Sequence, residues 1–205
     1  MPYWLKFILY CFATYLLGSI NFARLMAGFK KATIPQGANP GAATVFIKIG
    51  KKLGVITALL DASKAMVPIF IAKWYFKNIV FSQPIFLCLI GLAAVIGHCY
   101  SFYYNFQGGW GLATSAGVIF SLFPIHVLWV FPLYSFLVFY YKENLSLAAL
   151  VCLALLFIII ILSRGWSEFY RFLPGISLVL LFMLFRNFDR GKDLKERIIF
   201  LLNKK

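Results

Sequence analysis

Charged residues are scarce in this chain, at 13% of 205, and acids are the scarcest, six against 20 lysines and arginines. With 62% hydrophobic residues and a mean hydropathy of +0.87, so little charge excludes an ordinary soluble globule, whose apolar fraction is about half. Histidine occurs only as His98 and His126, and the four cysteines, Cys11, Cys88, Cys99 and Cys152, show no metal-ligand spacing. Those cysteines lie in or beside apolar runs and read as membrane-buried thiols. Neither a metal nor another cofactor is expected, nothing resembles a nucleophile triad, and no internal repeat supports a transporter or channel.

What is present is a series of apolar runs joined by short basic connections. At roughly 20 residues per crossing, the chain reads as one all-α, polytopic membrane domain over 1–205, with about seven transmembrane or re-entrant helices and a basic tail at 186–205. The first run, Trp4 to Phe29, lacks a cleavage site and reads as a retained span, with polar residues at Gly18-Ser19-Ile20-Asn21 and an Arg24 able to snorkel. From Lys30 to Lys52 follows a Gly/Pro/Ala-rich loop with five lysines and no acid, which the positive-inside rule places in the cytoplasm. The second span, Leu53 to Tyr75, carries Asp61 and Lys64 at i and i+3, a spacing that lets them neutralise each other.

A third span, from Ile79 to Tyr100, delivers Gly97-His98 and then Phe106-Gln107-Gly108-Gly109-Trp110-Gly111-Leu112-Ala113-Thr114 to the same face. If Gly111 opens a helix, its free N–H groups and dipole favour an anion there. Close helix packing explains the glycines equally well. On the anion reading, a methyl group at Gly109 would intrude on the ligand.

Gly111 to Phe123 is short for a span, so it and Ile125 to Tyr141 read either as two short tilted helices or as one re-entrant piece and one span. Leu145 to Leu162 and Phe172 to Phe185 are the remaining crossings. The tail holds Arg186, Arg190, Lys192, Lys195, Arg197, Lys204 and Lys205 against Asp189, Asp193 and Glu196. The C-terminus is therefore expected inside and the N-terminus outside. Because the cations flank spans, anionic lipid headgroups rather than nucleic acid are the expected electrostatic partner; the oligomeric state is open.

An ordered set of short motifs runs nearly end to end: Gly18-Ser19-Ile20, Asn39-Pro40-Gly41-Ala42, Gly50-Lys51-Lys52-x-Gly54, Leu60-Asp61-x-x-Lys64, Gly97-His98, Gly108-Gly109-x-Gly111-x-Ala113-Thr114, Leu145-Ser146-Leu147-Ala148 and Asn187-x-x-Arg190. It resembles the bacterial PlsY family. The resemblance implies a seven-helix plasma (inner) membrane acyltransferase that moves a fatty acyl group from acyl-phosphate to glycerol 3-phosphate or a related phosphorylated polyol, in phospholipid synthesis. It implies catalytic roles for His98, Asn39 and Ser146, and substrate contacts from Gly41, Lys48, Gly108, Gly109, Gly111, Thr114, Asn187 and Arg190.

The departures from the family pattern are as specific. Gly37, Ala38, Thr44 and Ile47 stand where the family has serine, glycine, asparagine and arginine. Gln107 stands for a cation, Trp110 for lysine and Leu184 for histidine, and the third motif ends in Gly191-Lys192-Asp193. Two phosphorylated substrates call for several fixed cations, since each charge-assisted hydrogen bond contributes roughly 1.5–3 kcal/mol. A non-catalytic scaffold that binds lipid or partners an enzyme is the alternative expectation.

Overall fold

The computed structural model describes residues 1–35, 38–77, 84–124, 158–162, 170–179 and 181–182. Within these, all regular structure is helical: α1 Tyr3–Ser19, α2 Phe22–Phe29, α3 Ala42–Lys48, α4 Lys51–Tyr75, α5 Ile85–Cys99, a 3-10 turn at Phe102–Tyr104, and α6 Leu112–Leu122. Among the described residues three stretches, Tyr3–Phe29, Lys51–Tyr75 and Ile85–Tyr104, are long and apolar enough to cross a membrane. At 1.5 Å per residue α6 is about 16 Å long, roughly half of a hydrocarbon core. The expected segments Ile125 to Tyr141 and most of Leu145 to Leu162 lie outside the described residues, as does His126.

The first apolar run is two helices rather than one. Ile20 is extended, and Asn21 starts α2 by accepting the Arg24 N–H on its side-chain oxygen at 2.9 Å, a standard N-cap contact. Hydroxyls upstream of the break are satisfied within α1, Thr14 donating to the Tyr10 carbonyl at 2.8 Å and Ser19 to that of Tyr15 at 2.9 Å. Such bonds let polar side chains sit inside an apolar helix without an unmet donor.

The buried face of α4 is Gly54, Thr57, Asp61, Lys64, Ala65, Pro68, Ile69 and Ala72, a helical-period stripe of mostly small residues. Pro68 has no N–H, so the Lys64 carbonyl loses its helical donor. The Tyr10 hydroxyl of α1 bonds the Pro68 carbonyl at 2.7 Å and ties the two helices together there.

Glycines set the helix separations. A Cβ at Gly18 would overlap the Ala94 carbonyl, one at Gly97 the Tyr15 carbonyl, and one at Gly117 the Ala62 carbonyl. α1 therefore meets α5, and α6 meets α4, with backbones in near contact, the small-residue packing that holds membrane helices where water supplies no driving force. Around this the core is filled by Ile69, Leu87, Ile90, Val95, Val118 and Phe123, joined by Ile160 and Ile176 from the later helical residues.

Candidate functional site

Three ionisable side chains meet in the interior. Asp61 and Lys64 of α4 lie one turn apart, with Nζ 2.7 Å from Oδ1, the expected pairing. His98, near the end of α5, completes the cluster: its Nδ1 is 3.3 Å from Lys64 Nζ and 3.4 Å from Asp61 Oδ1. Relative exposures of 1%, 2% and 6% for Asp61, Lys64 and His98 mean that little water screens their charge. Phe22 of α2 covers the ammonium, its ring centre 4.8 Å from Nζ, a cation–π contact that gains strength when desolvated.

His98 also holds the glycine loop. The 3-10 turn leads into Asn105 and Phe106, both at positive φ, 50° and 59°, so the chain reverses and returns to α5. There the Gly108 N–H bonds the Cys99 carbonyl at 3.1 Å and the Gly109 N–H bonds that of His98 at 3.0 Å. A Cβ at Gly108 would overlap that same His98 carbonyl, and one at Gly109 would overlap imidazole Nε2.

Two glycine amides of the expected anion cradle are thus occupied by backbone. The unused donors lie further along: Gly111, at φ 77°, caps α6, and the first N–H groups of a helix, here Leu112, Ala113 and Thr114, have no acceptor inside it. Gly111 does open a helix, and the crowding expected at Gly109 falls on His98. Beside these donors, the Thr114 and Ser115 hydroxyl oxygens are buried without a hydrogen-bond partner.

The Asn39 loop joins this centre through α2. Asn21 Nδ2 donates to the Pro40 carbonyl at 3.3 Å, while its neighbour Phe22 covers Lys64. Asn39 is half-buried, its side-chain oxygen unpartnered, and its Nδ2 would lie 3.0 Å from a Cβ at Gly41. Lys48 is exposed at the far end of α3, about 10 Å along the helix from Gly41. Arg24 is exposed and lies over the Tyr104 ring at 4.7 Å, joining α2 to the turn before the glycine loop. Ser146, Asn187, Arg190, Gly37 and Leu184 lie outside the described residues.

Two connections escape sequence reasoning. Nothing in the spacing announces His98 as a partner of a pair 34 residues earlier. Ser101 makes the other: buried at 1% exposure, it donates to the Ser19 carbonyl at 2.5 Å, and its own carbonyl receives the Tyr104 and Phe106 N–H groups. One serine thereby fixes the turn and anchors it to the end of α1.

The buried ions make a stability prediction. Asp61→Ala leaves an unpaired ammonium in the interior, a change that typically costs about 3–5 kcal/mol, so folded yield after detergent extraction should drop sharply. Adding Lys64→Ala should recover part of it; a double variant no better than the single would deny the pair.

The chain matches the glycerol-3-phosphate acyltransferase family over residues 8–195. It is 39% identical over 182 residues to the glycerol-3-phosphate acyltransferase of Azotobacter vinelandii, covering 85% of this chain and 87% of that protein. To the enzyme of that name from Pseudomonas aeruginosa it is 38% identical over 151 residues, 72% of this chain and 75% of that one. The fold is similar to crystal structures of PlsY (YgiH), an integral membrane glycerol 3-phosphate acyltransferase. For its lysophosphatidic acid form the TM-score is 0.75 at 29% identity, covering 93% of this chain and 92% of that one. For its glycerol 3-phosphate form the TM-score is 0.72 at 28% identity.

Proposed function

The chain belongs to the glycerol-3-phosphate acyltransferase family, a multi-pass membrane acyltransferase, and from that premise we propose that it moves a fatty acyl group from acyl-phosphate to glycerol 3-phosphate. The near full-length likeness to a solved integral membrane glycerol 3-phosphate acyltransferase in its glycerol 3-phosphate form carries the reading. In the reaction an acceptor hydroxyl oxygen attacks the acyl carbonyl, the bond to the phosphate oxygen breaks, and the hydroxyl proton leaves with the phosphate. Acyl-phosphate is an activated mixed anhydride, so positioning and neutralisation of phosphate charge can supply most of the acceleration without a protein nucleophile.

On this reading the N-terminus of α6, with Gly111 and Thr114, faces phosphate, because unpaired N–H groups and the helix dipole favour an anion. His98 and Asn39 orient the acceptor hydroxyl. Gly108 and Gly109 hold the loop against His98, and Gly41 lets Asn39 fold back on its own loop. Lys48, Asn187 and Arg190 supply polar contacts and cations, and Ser146 a hydroxyl. The wholly apolar groove of about 280 Å³ between α3 and α4, lined by Ala42, Ala43, Phe46, Ile47, Gly54, Val55 and Ala58, offers surface to the acyl tail.

An assay with purified protein, acyl-phosphate and a panel of phosphorylated polyols tests this. Lysophosphatidic acid should form with glycerol 3-phosphate; folded protein that acylates no acceptor would overturn the reading.

The site is proposed to face the cytoplasm from a bacterial plasma membrane, with the N-terminus outside and anionic lipids around the basic loops. Reporters placed near Asn39 and after Lys205 should both register cytoplasm. A periplasmic signal from either would split the proposed site between two faces.

A further inference from the structure

The geometry points to Asp61 and Lys64 as positioning residues that fix the tautomer of His98, keeping Nδ1 an acceptor and presenting Nε2–H to the glycine loop. An ammonium has three N–H bonds, and Lys64 has three partners: Asp61 Oδ1 at 2.7 Å, His98 Nδ1 at 3.3 Å and the Phe22 ring at 4.8 Å. The shorter of the two Nδ1 contacts is to Lys64 Nζ, and a ring nitrogen that accepts from an ammonium carries no proton, which leaves the ring proton on Nε2. Asp61 Oδ1 is nearer the ammonium, at 2.7 Å, than it is to Nδ1, at 3.4 Å. Its grip on Nδ1 therefore runs through Lys64, whose Nζ it holds against the ring.

The other edge of the ring makes this consequential. Nε2 occupies the space that a side chain on Gly109 would fill, and the His98 carbonyl grips the Gly109 N–H. The end of α5 thus holds the loop by its main chain while aiming a ring N–H at it, two residues before the cap of α6. The ion pair sits behind the ring and the glycine loop in front. This inference rests on the acyl-transfer reading for its kinetic consequence, and on the side-chain geometry alone for the tautomer.

With only two histidines in the chain, nitrogen-15 histidine labelling of the full protein in lipid nanodiscs gives a readable spectrum, His126→Gln assigning the remaining signals to His98. In the otherwise wild-type protein Nδ1 should resonate as an unprotonated ring nitrogen and Nε2 as a protonated one. The near-isosteric double variant Asp61→Asn/Lys64→Met removes both charges without leaving one unpaired. It should shift His98 towards the other tautomer and lower kcat by about 100-fold, the scale of a mispositioned proton-handling group, with KM for glycerol 3-phosphate moving less than about threefold.

Protonated Nδ1 in the wild type, or a double variant that keeps both the tautomer and kcat, would overturn the assignment. A kcat loss with an unchanged tautomer would overturn it too, since the pair would then act on something other than His98. Wild-type protein that folds and shows the stated tautomer yet transfers nothing would overturn the acyltransferase reading and leave the tautomer assignment standing.

Discussion

Gly109→Ala should both lower folded yield and nearly abolish acyl transfer in the protein that does fold. The added methyl group lands on His98 Nε2, and neither side can retreat. The imidazole is backed by Lys64 and Asp61, while the Gly108 and Gly109 amides are bonded to the last carbonyls of α5. Overpacking a tight interior costs about 1–3 kcal/mol. Displacing a group that orients or moves a proton costs about 100-fold in rate or more.

Two companions separate these effects. Gly28→Ala, at an exposed position where an added Cβ meets nothing within 4 Å, should leave yield and rate at wild-type values. Gly109→Ala combined with His98→Ala makes room for the methyl group, so yield should return while transfer stays low. Wild-type yield and transfer in the Gly109→Ala protein would mean that the loop does not press on His98 in the working enzyme.

Much of the frame was legible in the residues because it follows from period and composition. α4 begins two residues before its expected start and ends at Tyr75 as expected. The Asp61–Lys64 pair follows from its helical spacing. The break at Asn21 was visible only as polarity within an apolar run. An Asn that caps a new helix and an Asn that faces a neighbour look alike until the Arg24 N–H is seen bonded to it.

What spacing could not supply is the joining of distant segments. His98 meets Asp61 because α5 packs directly on α4, with Gly91 leaving room for Ile69 of α4 and Val118 of α6, a consequence of three-dimensional packing that no local pattern encodes. The same holds for the glycine loop. A run of glycines signals close approach, but whether to a ligand or to the chain itself depends on which acceptors stand opposite. Here the carbonyls of His98 and Cys99 stand opposite Gly109 and Gly108.

The combined replacement Gly37→Ser, Ile47→Arg and Trp110→Lys should raise kcat/KM for transfer to glycerol 3-phosphate. Each restores a residue type found at that place in the family. The two cations fall where the structure can take them: Ile47 is 72% exposed on α3 and Trp110 is 42% exposed between the clamped Gly109 and the αL cap Gly111. A long basic side chain at Ile47 can lie along the apolar groove and lift its charge out of it. A lysine at 110 would start two residues before the unused N–H groups of α6.

One new charge-assisted contact to phosphate is worth roughly 1.5–3 kcal/mol, or about 10- to 150-fold, so even a single well-placed cation should be measurable. If the gain comes from charge, it should shrink as ionic strength rises, because exposed cations are screened beyond about 8–10 Å in ordinary salt. A gain that ignores salt would instead implicate the shape change at Trp110. A folded triple variant with no gain at any salt concentration would place positions 47 and 110 away from the phosphate in this chain. The load would then fall on the α6 N-terminus and on cations of its own, and neutralising Lys48 or Arg190 should cost more here than in a relative that keeps the arginine and lysine.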